Sequence, residues 1–283
     1  MNFSEFVNSD KAGQPHYLLI GSPIGHSVSP LIHNTALEYH NIPAAYYAVG
    51  VRGSEISTLI AHFNSPFFMG ANVTIPYKET LFDSVDSYDE DAAQIGAINT
   101  IVKKENGVSG YNTDAYGFTQ PIRNRLDEIE GTRVIIFGTG GATKAIIHAL
   151  RNAGSEEIVL VSRRPGMYEM PQEEVIMAGY NDWMAYADEE CSMIVNATPL
   201  GMEPNTQASP VDEKDISFLN GKICYDIVYN PQDTLFLDQA IRSGGIPVGG
   251  LEMLIHQAEK AFELWTGKEF PLELVRKKLN DVF

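Results

Sequence analysis

Strand-like apolar runs alternate with stretches of helical periodicity along nearly the whole chain, and this alternation restricts the fold more than any other feature. HYLLIG, from His16, reads as a strand, and PLIHNTALEYHNI as a helix starting at Pro30. AAYYAVGV, SEISTLIAHF and FFMGANVTI continue as strand, helix, strand, and DEDAAQIGA is a short helix. INTIVKK and VSGYN read as two strands joined by Asn106-Gly107, a strong hairpin signal. DAYGFTQPIRNRL reads as helix. GTRVIIFGTGGATKAIIHALRNAG is strand, glycine turn and helix, with Gly154 as its stop. EEIVLVSRR, CSMIVNATPLG and KICYDIVYNP are further buried strands. DTLFLDQAIRSGG, GGLEMLIHQAEKAFELWTG and PLELVRKKLNDVF are helices. Parallel strands need long crossovers, which helices supply, so the pattern predicts an α/β protein with parallel sheets. The 283 residues fit one large domain or two smaller ones, and no internal repeat is visible.

The 44% hydrophobic content supports a real core. No apolar run approaches membrane-spanning length. The opening MNFSEFVNSDKAGQ lacks the basic start and apolar segment of a secretory signal, so a cytoplasmic location is expected. The sequons at Asn72-Val-Thr74 and Asn196-Ala-Thr198 are set aside for the same reason. Cys191 and Cys224 lie in apolar runs and read as buried free thiols. Seven histidines are present, but none has a metal-binding spacing; His26, His33 and His40 recur every seven residues, and no metal is expected. Gly-x-Ser-x-Gly is absent, so a serine hydrolase is not indicated. The net charge of −17 argues against nucleic acid and anionic membranes as partners. Between Lys11 and Lys103 the only lysine or arginine residues are Arg52 and Lys78, which singles out Lys78 as a local anion attractor.

The turn Gly138-Thr139-Gly140-Gly141-Ala142-Thr143 follows the strand VIIF and opens a helix. Its backbone N–H groups and the helix N-terminus suit a pyrophosphate. Thr143 stands where the third glycine of a dinucleotide fingerprint would be, and an ordinary tight turn is the competing reading. After the next strand come Ser162-Arg163-Arg164, where an NAD site would carry Asp or Glu. Two guanidiniums pair well with a 2′-phosphate, which favours NADP; a solvated pair of surface arginines is the alternative. The loop NATPLGM (196–202) follows another buried strand and is expected to border the cofactor.

NVTIPYK (72–78), AINT (97–100) and YNTDAYG (111–117) each place small polar residues at a strand end, as does GSPIGHSVSP (21–30). Together they nominate one pocket lined by Ser27, Ser29, Thr74, Lys78, Asn99 and Asp114. Hydroxyls hold a carboxylate; Asn, Lys and Asp hold ring hydroxyls and a carbonyl, which suits a polyhydroxylated carboxylic acid. Lys78 and Asp114 are the pair to manage a proton at a reacting oxygen. Each residue also has a plainer reading: Ser29 before Pro30 as an N-cap, Lys78 as a solvated charge, Asp114 as a helix cap.

In eight blocks, in order, the chain resembles shikimate dehydrogenases: GSPIGHSVSP, GANVTIPYKE, GAINTI, YNTDAYGF, GTGGAT, NATPLGM, YDIVYNP and GGLEMLIHQA. The resemblance runs from about residue 16 to the C-terminus. It implies an α/β enzyme of two domains. Residues 1–113 with 250–283 would form a substrate domain with a mainly parallel sheet, and 114–249 a Rossmann-type NADP-binding domain. It implies reversible, NADPH-dependent reduction of 3-dehydroshikimate to shikimate on the route to chorismate and the aromatic amino acids. Lys78 and Asp114 would be catalytic, with Ser27, Ser29, Thr74, Asn99, Tyr229 and Gln257 also binding substrate. Cofactor contacts are implied for Gly138, Gly140, Gly141, Ala142, Ser162, Arg163, Arg164, Asn196, Thr198, Met202, Ile227 and Gly250. Whether Lys78 delivers the proton or orients the substrate stays open. The family's usual Asn-Arg-Thr is Ser162-Arg163-Arg164 here, and Met167 stands where a further basic residue is common. Residues 1–15 read as a frayed extension. Quinate or an aminoshikimate as substrate, and a non-catalytic NADP-binding regulator, are the alternatives; a monomer or homodimer is expected.

Overall fold

The computed structural model describes residues 1–25, 27–167 and 175–283. The chain forms two compact units, Met1–Tyr116 with Ile255–Val282, and Gly117–Leu254 with Phe283. Among the described residues no helix is long and apolar enough to cross a membrane.

The first unit begins with α1 (Phe3–Val7), β1 (His16–Gly21), α2 (Ser29–Tyr39), β2 (Ala45–Gly50), α3 (Ile56–His62) and β3 (Phe68–Val73). It continues with β4 (Ser87–Tyr88), α4 (Glu90–Ile95), β5 (Thr100–Lys104), β6 (Gly107–Tyr111) and the start of α5 (Asp114–Thr119). The sheet order is β2-β1-β3-β5-β6-β4. Strands β1, β2 and β3 are parallel, β5 is antiparallel to β3 and β6, and β4 runs parallel to β6. In register, Ile20 faces Val73, Asn72 faces Thr100, and Thr100 faces Tyr111. One edge of the sheet therefore collects the C-terminal ends of β1, β3 and β6 and the N-terminal end of β5. Leu18, Ile20, Val49, Ala71 and Val73 bury one face, with Phe3 and Phe6 in the same cluster. A sheet covered on both faces explains why its strands read as continuous apolar runs.

Three local expectations need correction. Residues 1–15 are not frayed. Asn2 and Glu5 form a reciprocal capping box, with the Glu5 N–H donating to Asn2 Oδ1 at 2.8 Å and the Asn2 N–H to Glu5 Oε2 at 3.0 Å. Phe3 and Phe6, one helical turn apart, are buried, and the Gly50 N–H donates to Met1 O at 3.0 Å along the edge strand β2. The hairpin exists, but its turn is shifted by one residue. Lys104 pairs with Gly107, so Glu105 and Asn106 make the connection and Gly107 opens β6 at φ +132°. The Asp86 carboxylate sets that register by accepting the Val108 N–H at 2.7 Å. The helix expected over 114–126 changes character after Thr119: Gln120–Glu128 is 3-10. Pro121 lacks the N–H that an α-helix needs and restricts the residue before it.

The second unit contains β7 (Arg133–Phe137), α6 (Thr143–Asn152), β8 (Glu157–Val161), β9 (Val175–Ala178), β10 (Cys191–Asn196), β11 (Ile223–Asp226), α7 (Leu235–Ser243) and β12 (Ile246–Val248). All its pairings are parallel, in the order β12-β11-β10-β7-β8-β9. Counted from β7 this is 3-2-1-4-5-6, the order of a doubly wound nucleotide-binding sheet, with its switch point between β7 and β10. Cys191 and Cys224 are free and buried, and burial pushes their thiols up to about 11 and about 12. Helix α8 (Gly250–Thr266) returns the chain to the first unit, where α9 (Leu272–Asn280) follows. There Trp265 Nε1 donates to Ile101 O at 2.9 Å.

Candidate functional site

The shared edge of the first sheet explains how four distant motifs meet. Lys78 follows β3, Asn99 precedes β5, and Asp114 follows β6. Lys78 Nζ donates to Asp114 Oδ2, and these side chains are only 13% and 9% exposed. Asn99 Nδ2 donates to the other oxygen, Asp114 Oδ1, at 2.8 Å. The Ile98 N–H donates to Lys78 O at 3.0 Å, which ties the two loops by their backbones. Asp114 is the first residue of α5, and its own N–H is taken by Asn112 Oδ1 at 3.1 Å. The carboxylate is thus turned toward the lysine.

Ser27 and Ser29 follow β1 on the same edge. Ser27 Oγ donates to Ser29 Oγ at 3.1 Å and accepts the Ser29 N–H at 3.2 Å. The N-cap reading of Ser29 is corrected: Ser29 is the first helical residue, and no side chain caps α2. Thr74 is half-buried, and its N–H donates to Ile20 O at 2.8 Å, which holds the loop after β3 against the end of β1. Gln257 is half-buried on α8 within the first unit. Lys260, one turn further on, lies 5.5 Å over the Tyr116 ring and so links α8 to the first turn of α5. Tyr229 belongs to the second unit, just after β11, where burial raises its hydroxyl above the usual range. His26 and the Met167 side chain lie outside the described residues. Among the described residues no cluster of three His, Cys, Asp or Glu is arranged to hold a metal ion.

In the second unit the expected cofactor residues gather at the C-terminal ends of the strands. Gly138 leaves β7 at φ +106°, and a Cβ there would lie 2.7 Å from Ala197 O, so glycine is required where the two loops cross at the switch point. Gly140 is exposed and Gly141 half-exposed. Ala142 precedes α6, whose start carries no side-chain cap, and the Thr143 N–H donates to Gly140 O at 3.0 Å. Arg163 and Arg164 are exposed at the end of β8, and Ser162 Oγ accepts the Arg164 N–H at 3.1 Å. Asn196 ends β10; its Oδ1 accepts the Thr198 N–H at 3.0 Å and hydroxyl at 2.6 Å. Met202 is exposed, the Ile227 N–H donates to Asn196 O at 3.1 Å, and Gly250 is buried at the start of α8. An uncapped helix start, a glycine crossing and two arginines fit a dinucleotide carrying a 2′-phosphate.

The polar framework behind these residues was not legible in the motifs. Asn72, Thr100, Asn112 and Thr113 are all buried. Thr100 and Thr113 hydroxyls and the Thr113 N–H surround the Asn99 amide oxygen. Asp226, fully buried at the end of β11, accepts from Asn196 Nδ2 at 3.0 Å, the Val228 N–H at 3.0 Å and the Thr234 hydroxyl at 2.6 Å. Burial still wins over these donors and raises its carboxyl to about 6.

Residues 19–101 match the sequence model of the shikimate dehydrogenase substrate binding domain, and 250–279 that of the shikimate 5′-dehydrogenase C-terminal domain. The chain is 36% identical over 273 residues to the shikimate dehydrogenase (NADP(+)) of Salinibacter ruber, covering 93% of this chain and 95% of that protein. The shikimate 5-dehydrogenase of Thermus thermophilus, solved with NADP(H) and shikimate, superposes with a TM-score of 0.83 at 29% identity, covering 95% of this chain and 100% of that one. Quinate dehydrogenase from Corynebacterium glutamicum, solved with NAD, gives 0.85 at 27%, covering 95% and 99%. The chain belongs to the shikimate dehydrogenase family.

Proposed function

We propose that the protein reduces 3-dehydroshikimate to shikimate, reversibly and with NADPH, in the biosynthesis of chorismate. The observation that carries this reading is the largely buried Lys78–Asp114 pair, held by Asn99 at the edge where the Ser27 and Ser29 hydroxyls also lie. Residues 1–113 with 250–283 act as the substrate domain and 114–249 as the NADP domain, in keeping with the order of the second sheet.

When bound, NADPH would supply a hydride to the ring carbonyl carbon. The chain's own residues do the rest. Ser27 and Ser29 donate to the substrate carboxylate as neutral groups, which suits a protein of net charge −17. Thr74, Tyr229 and Gln257 hold ring hydroxyls, and Asn99 supports the site through its bonds to Asp114 and Thr113. Lys78 Nζ donates to the carbonyl oxygen and stabilises the negative charge that develops there, the proton that completes the hydroxyl comes from that ammonium or from water, and Asp114 aims the ammonium. Gly140, Gly141 and Ala142 hold the pyrophosphate by backbone N–H groups, while Gly138, whose own N–H donates to Val161 O at 3.0 Å, turns the loop toward it. Ser162, Arg163 and Arg164 hold the 2′-phosphate, and the 196–202 loop with Ile227 and Gly250 borders the nicotinamide.

Quinate is the second reading, favoured by the equally close superposition on a quinate dehydrogenase. Nicotinamide absorbance, followed with shikimate or quinate and NADP or NAD, tests both. Turnover of shikimate with NADP is expected. Preference for quinate or NAD would overturn the substrate or cofactor assignment. Nucleotide binding without turnover of either acid would overturn the catalytic reading.

A further inference from the structure

Behind the Lys78–Asp114 pair lies a row of buried polar side chains that spans the first sheet. Tyr46 sits on β2, Asn72 on β3, Thr100 on β5, and Asn99 just before it. They are 1%, 5%, 0% and 3% exposed. Backbone groups with only one possible role fix the orientation of the two amides in the row, and the Thr100 hydroxyl also lies 3.3 Å from Thr113 Oγ1. The Asn99 carbonyl accepts from Asn72 Nδ2 at 3.3 Å, which leaves Asn72 Oδ1 facing Tyr46. The Tyr46 hydroxyl must then donate to that oxygen, at 2.8 Å. Asn72 Nδ2 also donates to Thr100 Oγ1 at 3.1 Å, and the Thr100 hydroxyl passes its own proton on to Asn99 Oδ1 at 3.0 Å. The Thr113 N–H, donating to the same Asn99 oxygen at 2.7 Å, fixes that amide as well. Asn99 Nδ2 is left to donate to Asp114 Oδ1. Four donors therefore point the same way, from Tyr46 to Asp114.

Tyr46 is itself immobilised. Asn34 clasps its backbone at both ends, with Asn34 Nδ2 donating to Tyr46 O at 3.0 Å and the Tyr46 N–H to Asn34 Oδ1 at 2.8 Å. Its ring stacks on His33 at 4.4 Å and 20°. Donors in series in a dry interior polarise one another, so each strengthens the next.

We infer that Tyr46, whose hydroxyl donates to Asn72 rather than to a proposed substrate contact, is a positioning residue for the reaction. Its hydroxyl heads a one-way hydrogen-bond relay through Asn72, Thr100 and Asn99. The relay holds one oxygen of Asp114 and presents the other to Lys78. This rests on the catalytic role proposed above for Lys78 and Asp114.

The test compares Tyr46→Phe, Thr100→Val, their double variant and Thr100→Ser with the parent in the intact chain, at a temperature where all are folded by circular dichroism. Each single break lowers kcat about fivefold and leaves KM for shikimate within about twofold, the size of one lost hydrogen bond. The double variant is no slower than either single, because both interrupt one relay. Thr100→Ser, which restores a hydroxyl, returns to the parent rate. Multiplying losses, an effect confined to KM, or an unchanged kcat in Tyr46→Phe would overturn the inference. A second readout does not need turnover: in proton–nitrogen correlation spectra, the Asn99 side-chain amide protons move upfield in both Tyr46→Phe and Thr100→Val. If they stay in place, the relay does not exist. A parent inactive on shikimate would overturn the proposed function, while the spectra still decide the relay.

Discussion

Lys78 stands where a small change has the largest effect. Replacing it with methionine keeps much of the stem's volume and removes the donor aimed at the substrate oxygen. Lys78→Met is expected to lower kcat by roughly 10²–10⁴, while nucleotide affinity, read by fluorescence titration, stays at the parent value. A kcat within tenfold of the parent would show that the lysine has no part in the chemistry. Ser27→Ala makes a different prediction, because that hydroxyl meets a carboxylate that does not react. KM for shikimate rises about tenfold, the size of one charge-assisted hydrogen bond, and kcat holds; an unchanged KM rejects the contact. These residues were legible in the sequence because polar side chains at strand ends, and a lone lysine in a cation-poor segment, stand out against apolar runs. Asn72 and Thr100 lie in the same polar stretches, but the sequence assigned them no role. A threonine within a strand suits a surface as well as a core, and only the register across β3 and β5 reveals that it is buried beside Asn99.

The α/β class and most strands and helices followed from alternation, but the order of strands in each sheet is set by the register of the folded chain. What escaped was set by tertiary contacts. Strands β9 and β12 are four and three residues long and carry little pattern of their own. The hairpin turn moved by one residue because Asp86, far away in sequence, binds the Val108 N–H. Gly107→Ala tests that reading: a Cβ there would lie 2.1 Å from Asp86 Oδ2, at a positive φ. A loss of about 1–2 kcal/mol is expected on thermal or denaturant unfolding, and no loss would mean that the turn relaxes freely. Asp226 is the matching case in the second unit, where one buried carboxyl joins the loop after β10 to Thr234, the N-cap of α7. Its carboxyl is raised to about 6 by burial, so the folded state favours the protonated form. The stability it contributes is therefore present below the ordinary carboxylate range and is lost as pH rises through about 6. Asp226→Asn mimics the protonated form. It should raise the unfolding temperature relative to the parent at pH 8, with an upper bound of about 3 kcal/mol. The gain should fade as pH drops below 6, and a difference independent of pH would sink this account.

Across the whole molecule, the two units carry buried titrating groups of opposite sense. In the first unit His16 Nδ1–H donates to Gln14 O at 2.7 Å, so its Nε2 is bare and accepts from His62 Nε2–H at 2.9 Å. His16 cannot gain a proton at Nε2 without breaking the pair, and Phe3 and Phe6 close over the two rings at ring distances of 5.8 and 4.9 Å. Burial lowers His16, and burial with the neighbouring imidazole lowers His62 to about 4. His33, fully buried beside Tyr46 and Trp265, falls to about 3 for the same reason of burial. For these groups the unfolded chain binds protons that the folded chain refuses. Their stabilisation is complete above pH 6.5 and drains away as pH falls; for His33 alone the loss between pH 6.5 and 5 is about 1.5 kcal/mol. Asp226 does the reverse in the second unit over the same range. The paired carboxylates Glu55 and Glu213, both lowered to about 2 by their arginine partners, titrate below this window and do not blur it. Hydrogen exchange read peptide by peptide, and corrected for intrinsic rates, should separate the two. From pH 6.5 to 5, amides of β1, β2 and β3 lose protection, while those of β10, β11 and α7 hold or gain. His62→Gln, which keeps a donor but does not titrate, should flatten the loss in the first unit and leave the second unchanged. Parallel loss in both units would mean that general charge effects, not these buried groups, govern the acid response.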